Sequence, residues 1–147
     1  MPTITKKIII NSPVSNVFSF VTDPPNWTKY VTSLIDVKDI SSDKLEKGTT
    51  FRWTYRMLGI NFQGKGHITE HTKNKRFGMK MEGSFPITET YTFEKKENGT
   101  ELSIEIQYEI PNKLIGLVAN KGIIEKINKK EADSVLNKIK LMCEAEA

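Results

Sequence analysis

The sequence predicts an α+β fold in which a curved antiparallel sheet of seven strands packs against one long C-terminal helix. Three observations carry this. Between residues 34 and 110 the apolar residues repeat with period two, most clearly in ELSIEIQYEI, where Leu102, Ile104, Ile106, Tyr108 and Ile110 alternate with Glu101, Ser103, Glu105, Gln107 and Glu109. Turn signals interrupt this stretch at regular intervals: Lys47-Gly48, Leu58-Gly59, Lys73-Asn74-Lys75, Gly83-Ser84 and Asn98-Gly99. After Pro111 the period lengthens to that of a helix, through Leu114, Leu117 and Val118 and then Ile124, Ile127, Val135, Ile139 and Met142. A sheet with one apolar face and an amphipathic helix must bury those faces against each other.

In chain order, TITKKIII at residues 3–10 is rich in β-branched residues and reads as the first strand, stopped by Asn11-Ser12-Pro13. A helix follows. Ser12 suits its N-cap and Pro13 its first position, while Val14, Val17, Phe18 and Val21 form one apolar stripe. Asp23-Pro24-Pro25 ends it, because the residue before a proline is pushed out of helical geometry. A short second helix around Asn26–Val31 turns Trp27 and Tyr30 inward, and six strands come next. In the final helix, Asn120-Lys121-Gly122 is a candidate break or bend.

A chain of 147 residues is the size of one domain, 1–147, and long enough to bury a core without disulfides. Cys143 is the only cysteine, which suits a reducing cytoplasm. No apolar run is long enough to span a bilayer, and MPTITKKIIINSPVS lacks the succession of a signal peptide, so a cytoplasmic protein is expected. The formal charge of +4 is uneven: residues 44–80 hold nine basic residues against Glu46 and Glu70, a local excess of +7. Such a face could meet a membrane surface or a protein partner, or could be solvated outward strand positions that discourage edge pairing. No nucleic-acid-binding motif accompanies it, so a nucleic-acid partner is not expected.

The central segment FRWTYRM places Phe51, Trp53, Tyr55 and Met57 on one face and Arg52, Thr54 and Arg56 on the other. Phe77, Met79 and Met81 do the same in RFGMKME. These side chains either fill a core or line a container, and the methionines would make an adaptable wall. Glu89 shares its face with Ile87, Tyr91 and Phe93 in ITETYTFE, which aims a carboxyl inward. If buried, it has a raised pKa and is a candidate general acid or base; otherwise the strand end is exposed there or Glu89 is paired at the mouth. Asn128 and Glu131 extend the stripe of the last helix and could bond a ligand's polar end or sit at its edge in water. His67 and His71 lie roughly 13 Å apart along a strand, too far to share a metal, and fall in phase with Lys65 on the polar face. No metal site and no cofactor are expected, and no nucleophile motif is present. Gly64 and Gly66 lie within a strand pattern and mark bulges or curvature.

The order and spacing of IIINSPVSNVFSFVTDPPNW, GTTFRWTYRMLGINFQGKGHITE, FPITETYTFE, ENGTELSIEI and the final helix resemble the START-like or SRPBCC superfamily, which includes the birch-pollen allergens. The resemblance spans essentially the whole chain and is nearest to the small polyketide cyclase/dehydrase-like group. It implies a helix-grip fold, with the sheet wrapped around the C-terminal helix over a cavity for a hydrophobic ligand. The expected function is therefore binding of a lipid, isoprenoid or polyketide-like molecule, with Phe51, Trp53, Tyr55, Met57, Phe77, Met79, Met81, Tyr91, Asn128 and Glu131 as lining residues. Two alternatives stand beside it. One is a cyclase or dehydratase using Glu89 or a tyrosine; the other is a lipid-loaded module that docks through the basic 44–80 region.

Overall fold

A computed structural model describes residues 3–112 and 121–145. Strand β1 (Thr3–Ile10) is followed by helices α1 (Val14–Val21) and α2 (Pro24–Tyr30). Strands β2 (Leu34–Lys38), β3 (Thr50–Met57), β4 (Ile60–Thr72), β5 (Arg76–Gly83), β6 (Ile87–Lys96) and β7 (Gly99–Tyr108) come next, and helix α3 spans Lys121–Ala145. All seven strands form one antiparallel sheet in the order β1-β7-β6-β5-β4-β3-β2. Helix α3 packs on β1 and β7 and touches both short helices, which gives the helix-grip arrangement. No helix among the described residues is long and apolar enough to cross a membrane.

The alternation read in β3 and β7 is the alternation of burial. Phe51, Trp53, Tyr55 and Met57 are all buried, as are Leu102, Ile104, Ile106 and Tyr108. In α3 the buried stripe runs through Ile124, Asn128, Ala132, Val135, Leu136, Ile139 and Cys143, with Ile127 and Met142 at its margins. Leu114, Leu117, Val118 and Asn120 lie outside the described residues, and Gly122 is the second residue of the described helix.

Three local expectations are corrected. Helix α1 begins at Val14 with Pro13 as its N-cap residue and no side-chain cap; the buried Ser12 hydroxyl makes no hydrogen bond, and the Ser12 carbonyl instead accepts one from Thr100 Oγ1 at 2.8 Å. Helix α1 does end before Asp23-Pro24-Pro25, but α2 starts at Pro24 rather than near Asn26, because the first helical positions have no intrahelical N–H bond to lose. Third, the register between β4 and β5 shifts between Ile68 and Glu70. That bulge reverses the strand's alternation, so His71 leaves the polar face and sets its ring edge-on to Phe18 at 5.3 Å and Phe77 at 6.1 Å.

Gly64 is where curvature demands glycine: a Cβ there would stand 1.9 Å from the Glu82 carbonyl oxygen on β5. The β3–β4 hairpin turns through Leu58 and Gly59, both with positive φ, as a tight two-residue turn requires. On the outer face Lys38, Arg52 and Lys65 stand side by side across β2, β3 and β4. Their neighbourhood is not purely basic. Asp39 lies 3.5 Å from Arg52, Glu82 lies 3.6 Å from Lys80, and Glu70 holds Arg76 at 2.9 Å.

Candidate functional site

The site begins where α1 ends. A helix leaves its last carbonyls without partners, and here the Val21 carbonyl accepts two hydrogen bonds, from Trp27 Nε1 at 3.0 Å and from the Tyr30 hydroxyl at 2.9 Å. Asn26 Nδ2 takes the Phe20 carbonyl at 3.0 Å. These bonds pin α2 across the end of α1 and turn Trp27 and Tyr30 onto the inner face of the sheet. Trp27 then meets Phe51 edge-on at 5.2 Å and Phe77 at 6.1 Å, while Tyr30 meets Tyr91 at 6.4 Å.

Between these rings and the sheet lies an apolar cleft lined by Trp27, Tyr30, Val31 and Leu34 on one side and Phe51, Tyr55, Met79, Met81, Glu89 and Tyr91 on the other. Its free space is about 10 Å³, room for one water at most. The cleft is thus closed, filled by its own aromatic and methionine side chains. A larger hollow of about 460 Å³ lies open on the surface beside the β6–β7 turn, among Asn11, Ser12, Asn74, Lys95, Lys96 and Glu97.

Of the residues expected to line a cavity, Phe51, Tyr55, Met79, Met81 and Tyr91 meet at this cleft. Trp53, Met57 and Phe77 are buried on the same strand faces but stand outside it. Trp53 donates from Nε1 to the Lys65 carbonyl at 3.0 Å, and Phe77 stacks behind Tyr91 at 6.0 Å. The α2-side wall is what strand periodicity missed. Trp27 and Tyr30 were legible as inward residues, yet nothing local in Val31 or Leu34 tied them to β5 and β6.

Glu89 is neither exposed nor paired with a cation. It is buried among the cleft residues at 7% exposure and forms no ion pair among the described residues. Burial, then the charge of Glu131, push its carboxyl up to about 7, against a smaller opposing effect of the Tyr91 hydroxyl. That hydroxyl donates to Glu89 Oε2 across a long 3.5 Å. Burial first, and Glu89 second, hold the Tyr30 and Tyr91 phenols well above their ordinary range. Tyr55 is raised by burial and then by Glu131. Near neutral pH the three tyrosines are therefore neutral hydroxyls, and Glu89 is poised between acid and carboxylate.

The two candidates on α3 part company. Glu131 is half-buried and clasps the α2–β2 connection, accepting from Ser33 N and Ser33 Oγ, each at 3.1 Å. Lys138 donates to Thr32 Oγ1 one residue earlier, so α3 straps this connection down over the cleft. Asn128 is buried and faces Tyr108 of β7.

The sequence profile of the family described as "Polyketide cyclase / dehydrase and lipid transport" matches residues 1–144. No curated protein matches the sequence. Among solved structures, a protein of Thermus thermophilus superposes with a TM-score of 0.82 at 18% identity, over 99% of both chains. A START superfamily protein from Mycobacterium smegmatis gives 0.75 at 10% identity, again over 99% of both. The di-domain ARO/CYC protein StfQ of the steffimycin biosynthetic pathway gives 0.76 at 8% identity, over 98% of this chain and 51% of its own. At these identities the likeness is one of fold.

Proposed function

Since this chain belongs to the polyketide cyclase/dehydrase and lipid transport family, we propose that it binds a small hydrophobic molecule in the cleft between sheet and helices. The observation that carries this reading is Glu89, a carboxyl buried in an apolar wall with, among the described residues, only a long bond from Tyr91. Burying such a group without good partners is unfavourable, and a core selected for stability alone would hold an apolar residue there. A ligand with a polar end supplies the missing partner. Affinity would come mainly from apolar area at about 25 cal/mol per Å², and Glu89, Tyr91 and Tyr30 would set orientation.

Entry requires side chains to move, because the cleft is closed in this conformation. Met79 and Met81 are suited to that, being unbranched and flexible. The Ser33–Glu131 strap must also yield or flex for a ligand longer than the cleft. Native mass spectrometry of freshly purified protein, followed by organic extraction, tests the reading. A reproducible passenger near one-to-one, or uptake of a naphthalene-sulfonate dye that Met81→Trp blocks, is the expected result. A bare protein that takes up neither dye nor fluorescent lipid would refute it.

A second reading is favoured by the carboxyl's position near 7. Glu89 would serve as general acid or base on the bound molecule, in a cyclisation or dehydration. Turnover lost in Glu89→Gln with binding retained would separate catalysis from carriage.

A further inference from the structure

Tyr108 and Asn128 form a second buried polar pair that the cleft chemistry does not use. They face each other from β7 and α3, with exposures of 1% and 6%. The Asn128 amide lies close enough to the Tyr108 oxygen to oppose the rise that burial imposes on the phenol. Yet neither the hydroxyl nor Asn128 Nδ2 has a partner in good hydrogen-bond geometry among the described residues. Two buried polar groups side by side without a well-aligned partner are uncommon in native interiors, where such groups are almost always satisfied.

Their position relates them to the site. Tyr108 stands opposite Ile87, and Glu89 opposite Ile106, so Tyr108 and Glu89 are diagonal neighbours on the sheet's inner face, about 7–8 Å apart at the backbone. Phe85 stands beside Tyr108 at 6.5 Å and beside the cleft residue Tyr55 at 5.7 Å. The pair thus adjoins the cleft across the Phe85 ring, which lies between Tyr108 and the cleft residue Tyr55.

We propose that Tyr108 and Asn128 together hold a neutral carbonyl oxygen of the molecule bound in the cleft, an inference that rests on the hydrophobic-ligand reading above. An amide N–H and a phenol O–H are both donors, and even where the amide leans on the phenol oxygen, the hydroxyl hydrogen and the second amide hydrogen are free to share one acceptor. A carbonyl oxygen, with two lone pairs, is the smallest group that accepts both. Burial keeps the phenol protonated and able to donate. Burial disfavours an anion there, and the Glu125 charge adds a smaller effect in the same direction. The ligand class is therefore a ketone, aldehyde or ester rather than a carboxylate, with apolar structure reaching toward Glu89.

The test compares two probes of one shape, 2-acetylnaphthalene and 2-isopropenylnaphthalene, in which a methylene replaces the carbonyl oxygen. Affinities are measured by calorimetry on the whole chain, for wild type, Tyr108→Phe and Asn128→Leu. The ketone should bind wild type about tenfold tighter or more, as expected for two hydrogen bonds, and either substitution should remove most of that preference. With a carbon-13 carbonyl, the infrared stretch of the bound ketone should lie at lower frequency in wild type than in Tyr108→Phe, a difference that a merely structural role would not produce. Tyr108→Phe deletes one oxygen and keeps the ring, so the test stands even where Asn128→Leu fails to fold. Equal affinity of the two probes for wild type would overturn this inference and leave the hydrophobic-ligand reading standing. A ketone preference that survives Tyr108→Phe would also overturn it, while failure of both probes to bind would overturn both readings.

Discussion

Replacing Glu89 by Gln should make the protein more stable, and only above a defined pH. The native carboxyl lies at about 7 against an ordinary 4.5. Below about 4.5 it is protonated in both folded and unfolded chains, so its titration contributes nothing to the balance. As pH rises from there toward 7 the unfolded chain releases its proton while the folded one keeps it, and stability falls. Above 7 the loss is complete. The difference amounts to about 3 kcal/mol by linkage, which in a chain of this size is a shift in Tm of roughly 6–12 °C. Gln removes the titration and keeps the side chain's shape and an oxygen for the Tyr91 hydroxyl. Wild type and Glu89→Gln, both stripped of any passenger, should therefore melt together near pH 4.5 and diverge by pH 8, with the variant higher. Carbon-13 titration of the Glu89 carboxyl provides the direct check through its midpoint. A gap between the two proteins that is the same at pH 5 and pH 8 would refute the argument that burial of this carboxyl opposes its ionisation.

Glu131→Gln should move the Glu89 midpoint downward, because the Glu131 charge is the second cause of its rise; an unmoved midpoint would mean the two carboxylates do not sense each other. Tyr91→Phe should move it upward, since the only hydrogen bond reaching the carboxylate among the described residues is lost, and the same titration reads it. Gly64→Ala should destabilise by about 1–3 kcal/mol or more, as overpacking generally does, because its methyl would meet the Glu82 backbone oxygen; denaturant melts measure the loss. Trp53→Phe should lose about 1 kcal/mol with the bond to the Lys65 carbonyl, while dye affinity changes less than it does in Met81→Ala.

What could be read from the sequence was whatever lies within one element. The alternation of Phe51 to Met57 and of Leu102 to Tyr108 is a local property of a strand with one wet face, and it identified the inner wall and the inward phase of Glu89. What could not be read arises between elements. The burial of Glu89 depends on Tyr30 being held to Val21, and the clasp on the cleft joins Ser33 to Glu131, 98 residues later. His71 failed for a different reason: a single bulged residue reverses every side chain after it, and no turn residue in GHITEHT announces that reversal. Whether the apolar face fills a core or lines a container was not decidable from pattern, because both need the same residues; the filled cleft is a matter of how Trp27 and Tyr30 reach across.

The position of β1 also bears on how the chain is made. Strands β2 to β7 are joined as successive hairpins and can pair as they are synthesised, but among the described strands Thr3–Ile10 pairs only with Gly99–Tyr108. Until that partner leaves the ribosome, Ile8, Ile9 and Ile10 wait as an unpaired β-branched run, and helix α3 lacks the strand carbonyl that Lys140 holds at Ile9. Pairing β1 with β7 closes a separation of about ninety residues. Loop-closure entropy makes such a step slow, and during that delay the amino-terminal strand is the segment most exposed to pairing with another copy of itself.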